Sequence, residues 1–386
     1  LTGMEGHAIK EEFTSREERL SPDHRGDDVS TKEEPINGLL LTLGRELDGI
    51  FAISEWEVQN GALHFRGRLM MDPEQAIKIL SRRYAPYGFY PMIRSEEEMT
   101  LLKAPPQRKA AKPWVNLVLL GATLLTTLTV GAANEGVDVL RHPAGLLVGV
   151  PFAFSLLLIL GVHELGHYFT ARSYGVEVTL PYFIPAPIGL GTFGAFIKMK
   201  SPVTDRKALF DVGLAGPLAG LVIAIPVLII GLRHSQIIPA LEPGRIGIRL
   251  GSPLLFSFLQ WLTLGSLPEN VDVLLHPVAF AGWIGLFVTA LNLLPIGQLD
   301  GGHVSYALLG RHHRLVAIGT LLGLLVMGTL FWPGWLFWAG LTLALGLKHP
   351  PPLNDVTPLD RRRRVGGVLS LFLLLALITP APFSLP

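Results

Sequence analysis

The chain has 386 residues and a net charge of +1, with only 16% charged residues and no cysteine; its mean hydropathy is +0.43. Soluble domains carry about 25% charged residues, so this balance, together with several long apolar runs, excludes a plain soluble globule and makes the chain a polytopic membrane protein. The near-neutral charge gives no footing for nucleic acid, and the lack of cysteine excludes disulfides, thiolate-held zinc and a cysteine nucleophile.

Residues 1–35 are charged and poor in apolar side chains (Lys10, Glu11, Glu12, Arg16) and are expected to form a disordered tail. The first hundred residues hold no long apolar run, so no signal peptide is expected in them. Residues 36–103 read as a small soluble α+β domain in the order α-β-β-α-β. Leu39 to Leu47 has helical spacing, Ile50–Val58 alternates as a strand, Asn60-Gly61 marks a hairpin turn, and Ala62–Met70 returns. Asp72 caps a helix running to Tyr84 with Pro73 in its first turn, and Gly88–Ile93 is a third strand. No chemistry is legible in this domain. Residues 104–113 form a basic, proline-containing linker.

A transmembrane core over residues 114–310 and C-terminal transmembrane helices over 311–386 follow. Spans are expected at Trp114–Ala132, Ala144–Arg172, Phe210–Leu232 and Pro277–Leu294, with further segments near Leu315–Phe331, Gly334–Leu347 and Val365–Thr379. Pro253–Leu264 is too short to span comfortably. Residues 177–200, rich in proline and glycine, read as a re-entrant or β segment. In the third span Gly213, Gly216 and Gly220 permit close helix contact. The fold class is therefore a polytopic α-helical membrane protein of six to seven transmembrane helices, with a re-entrant or β segment and a small N-terminal α+β domain. Basic residues near the span ends (Arg108, Lys109, Lys112, Arg172, Lys198, Lys200, Arg311, Arg361 to Arg364) place the N-terminal domain and the end of the second span on the cytoplasmic or stromal-equivalent side. The four-arginine run is read as a topology anchor.

The second span ends in His163-Glu164-Leu165-Gly166-His167. On a helix, residues four apart share a face, so two imidazoles can hold one Zn²⁺. Glu164 then stands beside the open coordination position, where it can take a proton from water on the metal. Ionisable groups are costly inside a membrane and are usually functional there. A catalytic zinc site needs a third protein ligand. Asp300 is the only acid in the apolar neighbourhood that follows the fourth span, and Pro295 and Gly297 interrupt the helix before it. Asp also commonly caps a helix; with the histidine pair present, ligation is the stronger reading.

These pieces, with Ala215-Gly216-Pro217-Leu218-Ala219-Gly220 and Asn292-Leu293-Leu294-Pro295, resemble the site-2 protease family of intramembrane zinc metalloproteases over roughly residues 114–310. The N-terminal extension and the lack of an obvious PDZ insertion are more similar to the plastid and cyanobacterial branch, the ethylene-dependent gravitropism-deficient and yellow-green type. The family's compact Asn-Pro-Asp-Gly string is here split by Ile296-Gly297-Gln298. The resemblance implies one catalytic Zn²⁺ held by His163, His167 and Asp300, with zinc-bound water as nucleophile and Glu164 as general base. It implies that the substrate is a transmembrane helix of another protein, cut within or near the membrane in regulated intramembrane proteolysis. Asn292 is implied to position the substrate or the oxyanion.

A substrate helix must unwind to expose its scissile carbonyl, and unwound backbone in lipid lacks partners. Gly191, Thr192, Phe193, Gly194, Ala195 and Phe196 are expected to supply them by pairing with the substrate as an added strand; the other reading is a loop that only shields the site. His303 is read as a helix-surface residue, with support of the metal ligands as the other reading. The expected partners are a transmembrane protein substrate, the lipid bilayer and, in a homo-oligomer, a second copy of the chain. A metal transporter and an inactive adaptor or chaperone relative are the competing readings; the chain has one candidate site and no histidine-rich loop.

Overall fold

The computed structural model describes residues 42–59, 61–104, 112–240 and 249–384. The expected tail at 1–35, Asn60 of the hairpin turn and most of the 104–113 linker lie outside the described residues. The chain divides into two compact units.

The first unit contains β1 (Phe51–Gln59), β2 (Ala62–Leu69), α1 (Pro73–Tyr84), β3 (Phe89–Ile93) and β4 (Glu98–Lys103). The strands form one antiparallel sheet in the order β1-β2-β4-β3. Asp72 caps α1 by accepting from the backbone N–H groups of Glu74 and Gln75 at 3.0 and 3.1 Å, and Pro73 occupies the first turn, where its missing N–H costs nothing. Leu80, Tyr84, Ile93, Met99 and Leu101 form the core. β4 corrects the three-strand expectation. Its apolar alternation is short and follows Glu96, Glu97 and Glu98, so the charged turn masks it in the sequence. Two short segments from later in the chain, Thr204–Arg206 and Pro351–Pro358, also belong to this unit. Fully buried Asn354 forms parallel bridges with Ile93 and Asp205, and Arg206 pairs with Asp355 at 2.8 Å.

The second unit is helical: α2 (Pro113–Asn134), α3 (Val150–Ser173, entered through a 3-10 turn at Pro143–Gly149), α4 (Arg206–Arg233, whose first residue falls in the other unit), α5 (Leu254–Leu264), α6 (Pro277–Asn292), α7 (Asp300–Leu309), α8 (His313–Leu330), α9 (Gly334–Leu345) and α10 (Arg361–Leu377). Among the described residues, four helical stretches are long and apolar enough to cross a membrane: Pro113–Asn134, Pro143–Ser173, Arg206–Arg233 and Asp300–Leu330. The helices α5, α6 and α9 are apolar but shorter. By the length and apolar composition of these helices the chain is an integral membrane protein.

Its core sits where α3, α4 and α6 meet, around Leu156, Ile159, Ala224, Leu228, Trp283 and Ile284. Small residues let the backbones close up: a Cβ on Gly231 would lie 2.1 Å from the Ala279 nitrogen, and one on Gly282 would lie 2.9 Å from the Leu228 backbone. The 177–200 region contains a hairpin of β5 (Tyr182–Pro185) and β6 (Thr192–Phe196), paired Tyr182 with Phe196 and Phe183 with Ala195.

Candidate metal centre

The side chains of His163, Glu164 and His167 are carried on α3 and are 4%, 6% and 6% exposed, in a helix that is otherwise apolar. Asp300 is the first residue of α7. Its carboxylate meets both imidazoles: Oδ2 lies 3.3 Å from His163 Nε2 and Oδ1 lies 3.2 Å from His167 Nε2. The two Nε2 atoms are 3.2 Å apart. The three side chains thus converge, with the carboxylate turning one oxygen toward each imidazole. A tetrahedral ion with ligand bonds of about 2.0–2.1 Å needs donor separations of roughly 3.3–3.4 Å. The residue types and the 3.2 Å Nε2–Nε2 separation fit a metal ion such as Zn²⁺ held by three protein ligands. Among the described residues this is the one group of three or more His, Asp or Glu with donors converging in this way.

The sequence folds locally to make this cluster. Gly301 and Gly302 let the start of α7 press against the turn after α6: a Cβ on Gly301 would lie 2.0 Å from the Leu293 carbonyl oxygen, and one on Gly302 would lie 2.4 Å from that of Gly297. Gly297 itself has φ 57°, a left-handed conformation that glycine adopts without strain. On α4, a Cβ at Gly216 would lie 2.0 Å from His167 Nε2, and one at Gly220 would lie 3.2 Å from His163. The glycines expected to serve helix contact therefore also make room for the two imidazoles. His167 Nδ1–H donates to the Val212 carbonyl at 2.7 Å, which turns Nε2 toward Asp300; outer hydrogen bonds of this kind fix ligand orientation and tautomer.

Asn292 ends α6 with its amide nitrogen 3.2 Å from His163 Nε2. A cavity of about 190 Å³ opens on the cluster, lined among others by Glu164, Ala195, Phe196, Ile197, Asn292 and His303. The proposed substrate segment is divided by the structure. Gly191 is packed under α2, where a Cβ would lie 2.5 Å from Thr127 Cα, and its carbonyl accepts from the Thr126 hydroxyl at 2.6 Å. Thr192 is buried and its hydroxyl donates to the Ile184 carbonyl at 2.8 Å. Both serve the hairpin. Ala195 and Phe196 face the cavity, while Phe193 is 71% exposed and Gly194 is not among the lining residues.

His303 is not a surface residue of α7, as the sequence suggested. It lines the cavity, and its Nδ1 meets His349 Nε2 at 2.5 Å. His349 Nδ1–H donates to the Pro350 carbonyl at 2.7 Å, and the ring stacks on Tyr306. Those contacts leave His349 Nε2 as an acceptor, so His303 Nδ1 carries the proton of the pair. Burial, reinforced by neighbouring His303, holds the His349 imidazole down to about 3. Neither His349 nor the Val212 carbonyl is legible in the sequence, because both reach the site across long sequence separations.

Residues 151–330, a little under half of the chain, match the family model for peptidase family M50. Beyond the family, the chain is similar to plastid relatives. It is 37% identical over 241 residues to "Probable zinc metalloprotease EGY1, chloroplastic" of Oryza sativa subsp. japonica, covering 60% of this chain and 40% of the relative. It is 36% identical over 247 residues to the Arabidopsis thaliana protein of the same name, covering 60% of this chain and 43% of the relative. It is 28% identical over 362 residues to "Probable zinc metalloprotease EGY2, chloroplastic" of Arabidopsis thaliana, covering 86% of this chain and 63% of the relative. The chain thus spans less than two thirds of the length of each.

Proposed function

We propose that the chain is an intramembrane zinc endopeptidase that hydrolyses a peptide bond within or near the transmembrane helix of a membrane-protein substrate. The observation that carries this reading is the convergence of buried His163 and His167 with Asp300, and of buried Glu164 on the same helix turn, in a segment matched by the M50 family. Zn²⁺ bound by these three residues would supply Lewis acidity and lower the pKa of water at its open position to about 7.

Glu164 lines the same cavity, the place for a base that takes the proton from the attacking water and returns it to the leaving amine. Asn292 borders the cluster as a neutral N–H donor, suited to an oxygen that gains negative charge. The hairpin supports strand pairing: β5 is its partner in a two-stranded sheet, and Ala195 and Phe196 of β6 line the cavity. An unwound substrate laid along β6 would regain the backbone partners that lipid denies it.

In this reading α6, α9 and α10 are short crossings, which with the four long stretches gives seven spans, the upper of the six to seven expected. The N-terminal unit and the cluster then share the side richer in Lys and Arg. The reading is tested by incubating the full chain with a single-span membrane substrate in liposomes and mapping the products by mass spectrometry. A new terminus inside or at the edge of the apolar segment is expected. Cuts confined to the flanking soluble parts would overturn it.

A further inference from the structure

The four-arginine run at 361–364 opens α10, and its members are not equivalent. Arg361 and Arg362 are exposed, and Arg364 donates from Nε to the Leu359 carbonyl at 2.9 Å. Arg363 is different. Its guanidinium grips Asp211 of α4 with two parallel bonds, Nε to Oδ1 at 2.9 Å and Nη2 to Oδ2 at 2.6 Å. Nη2 also reaches the Tyr174 hydroxyl at 3.1 Å, and that hydroxyl donates to Asp211 Oδ2. On its other side Nη1 pairs with Asp360, which caps α10 by accepting from the Arg363 N–H at 3.1 Å. Both Arg363 and Asp211 side chains are 27% exposed, so the pair is partly shielded from water. A planar fork on a carboxylate is the strongest and most directional of the ordinary ion-pair geometries.

The position of this clamp is informative. Tyr174 directly follows α3, the helix that carries the two histidines. Asp211 directly precedes Val212, whose carbonyl accepts from His167 Nδ1. Ala171, Val176 and Val212 are packed together beside it. We propose that Arg363 is a positioning residue for the metal centre: through Asp211 and Tyr174 it holds the start of α4 against the end of α3, and so fixes the Val212 carbonyl that orients His167. The inference rests on the cluster being a metal site. It replaces the topology-anchor role for Arg363, and leaves that role to Arg361 and Arg362.

The test is metal affinity of the full chain in detergent micelles, measured by chelator competition for Zn²⁺ and by the visible spectrum of the Co²⁺-loaded protein. Removing an outer hydrogen-bond partner of a ligand lowers metal affinity about 10- to 100-fold. Arg363 acts one step further out, so Arg363→Gln is expected to weaken Zn²⁺ about tenfold and to shift the Co²⁺ bands, with Arg361→Gln and Arg362→Gln unchanged. Asp211→Asn should give the same loss, and the double variant no more than either single one, because the two residues act as a unit. Arg363→Lys keeps the charge but not the fork and should restore only part of the affinity. It also serves as the readout should Arg363→Gln not fold.

Equal Zn²⁺ affinity and Co²⁺ spectra in wild type, Arg363→Lys and Asp211→Asn would overturn the proposal, even if the thermal midpoint of the metal-free protein fell. Equal losses in the Arg361→Gln and Arg363→Gln proteins would also overturn it, in favour of a shared topological role. A wild-type chain that takes up neither ion would overturn the metal-site reading itself, and this proposal with it.

Discussion

The two units each contain a hollow lined by charged and aromatic residues, and the larger one is not where the chemistry is legible. In the N-terminal unit a hollow of about 440 Å³ is lined among others by Glu55, Trp56, Arg66, Arg94 and Glu98. The ion pair across it, Arg66 with Glu55, is 3.8 Å long with both side chains at least 67% exposed; such pairs contribute little to stability or organisation. The cavity at the metal centre is less than half that volume. Yet its polar groups are buried, converge within hydrogen-bond distance, and are oriented by backbone carbonyls. Burying ionisable groups is costly, so the second arrangement persists only where something such as a cation offsets the cost. Convergence of buried polar groups, not cavity size, distinguishes the two.

Four substitutions or changes of condition sharpen that contrast. The largest effect is expected from Asp300→Ala, which removes one of three ligands. Zinc should be lost from the purified protein and substrate cleavage should fall by at least about a thousandfold; metal analysis and cleavage of a model substrate check both. Gly216→Ala comes next. Its new Cβ would lie 2.0 Å from His167 Nε2, and the imidazole can only relieve this by leaving its position. Zinc affinity is expected to drop about 10- to 100-fold, whereas Gly319→Ala, whose Cβ meets open space on α8, should leave it unchanged.

The third is a pH dependence. His349 is neutral in the folded chain, with its pKa held at about 3 against an unfolded value of about 6.5. The unfolded state therefore binds a proton between these values and the folded state does not. This contribution to stability is complete above about pH 6.5 and is lost as pH falls toward 3, at up to about 1.4 kcal/mol per pH unit. The apparent Tm in micelles should fall over that window, and a His349→Gln variant should fall less steeply. The smallest effect is expected from Trp56→Ala in the larger hollow: a stability change within about 0.5 kcal/mol, with zinc content and cleavage unchanged. Loss of cleavage there would show that the N-terminal sheet takes part in the reaction.

The sequence made local geometry legible and left long-range geometry hidden. The i, i+4 spacing of His163 and His167 is a property of one helix, and Asp300 stood out as a lone acid in apolar surroundings. The cap at Asp72 and the hairpin strands on either side of Gly61 are likewise local. β4 was masked by the glutamates before it. The addition of Asn354 to the N-terminal unit could not be read, because its bridges join residues more than a hundred positions apart. The Val212 carbonyl, His349 against His303 and the Gly191 contact with α2 are hidden in the same way, at separations of 45, 46 and 65 residues. None of these has a signature in periodicity or composition.

The central claim is that Glu164 acts as the base beside a metal held by His163, His167 and Asp300. The most direct measurement is cleavage of a model transmembrane substrate in liposomes by wild type and by Glu164→Gln, with zinc quantified in both. The account predicts about one zinc per chain in each protein and cleavage by wild type alone. Equal cleavage by the two proteins would contradict it.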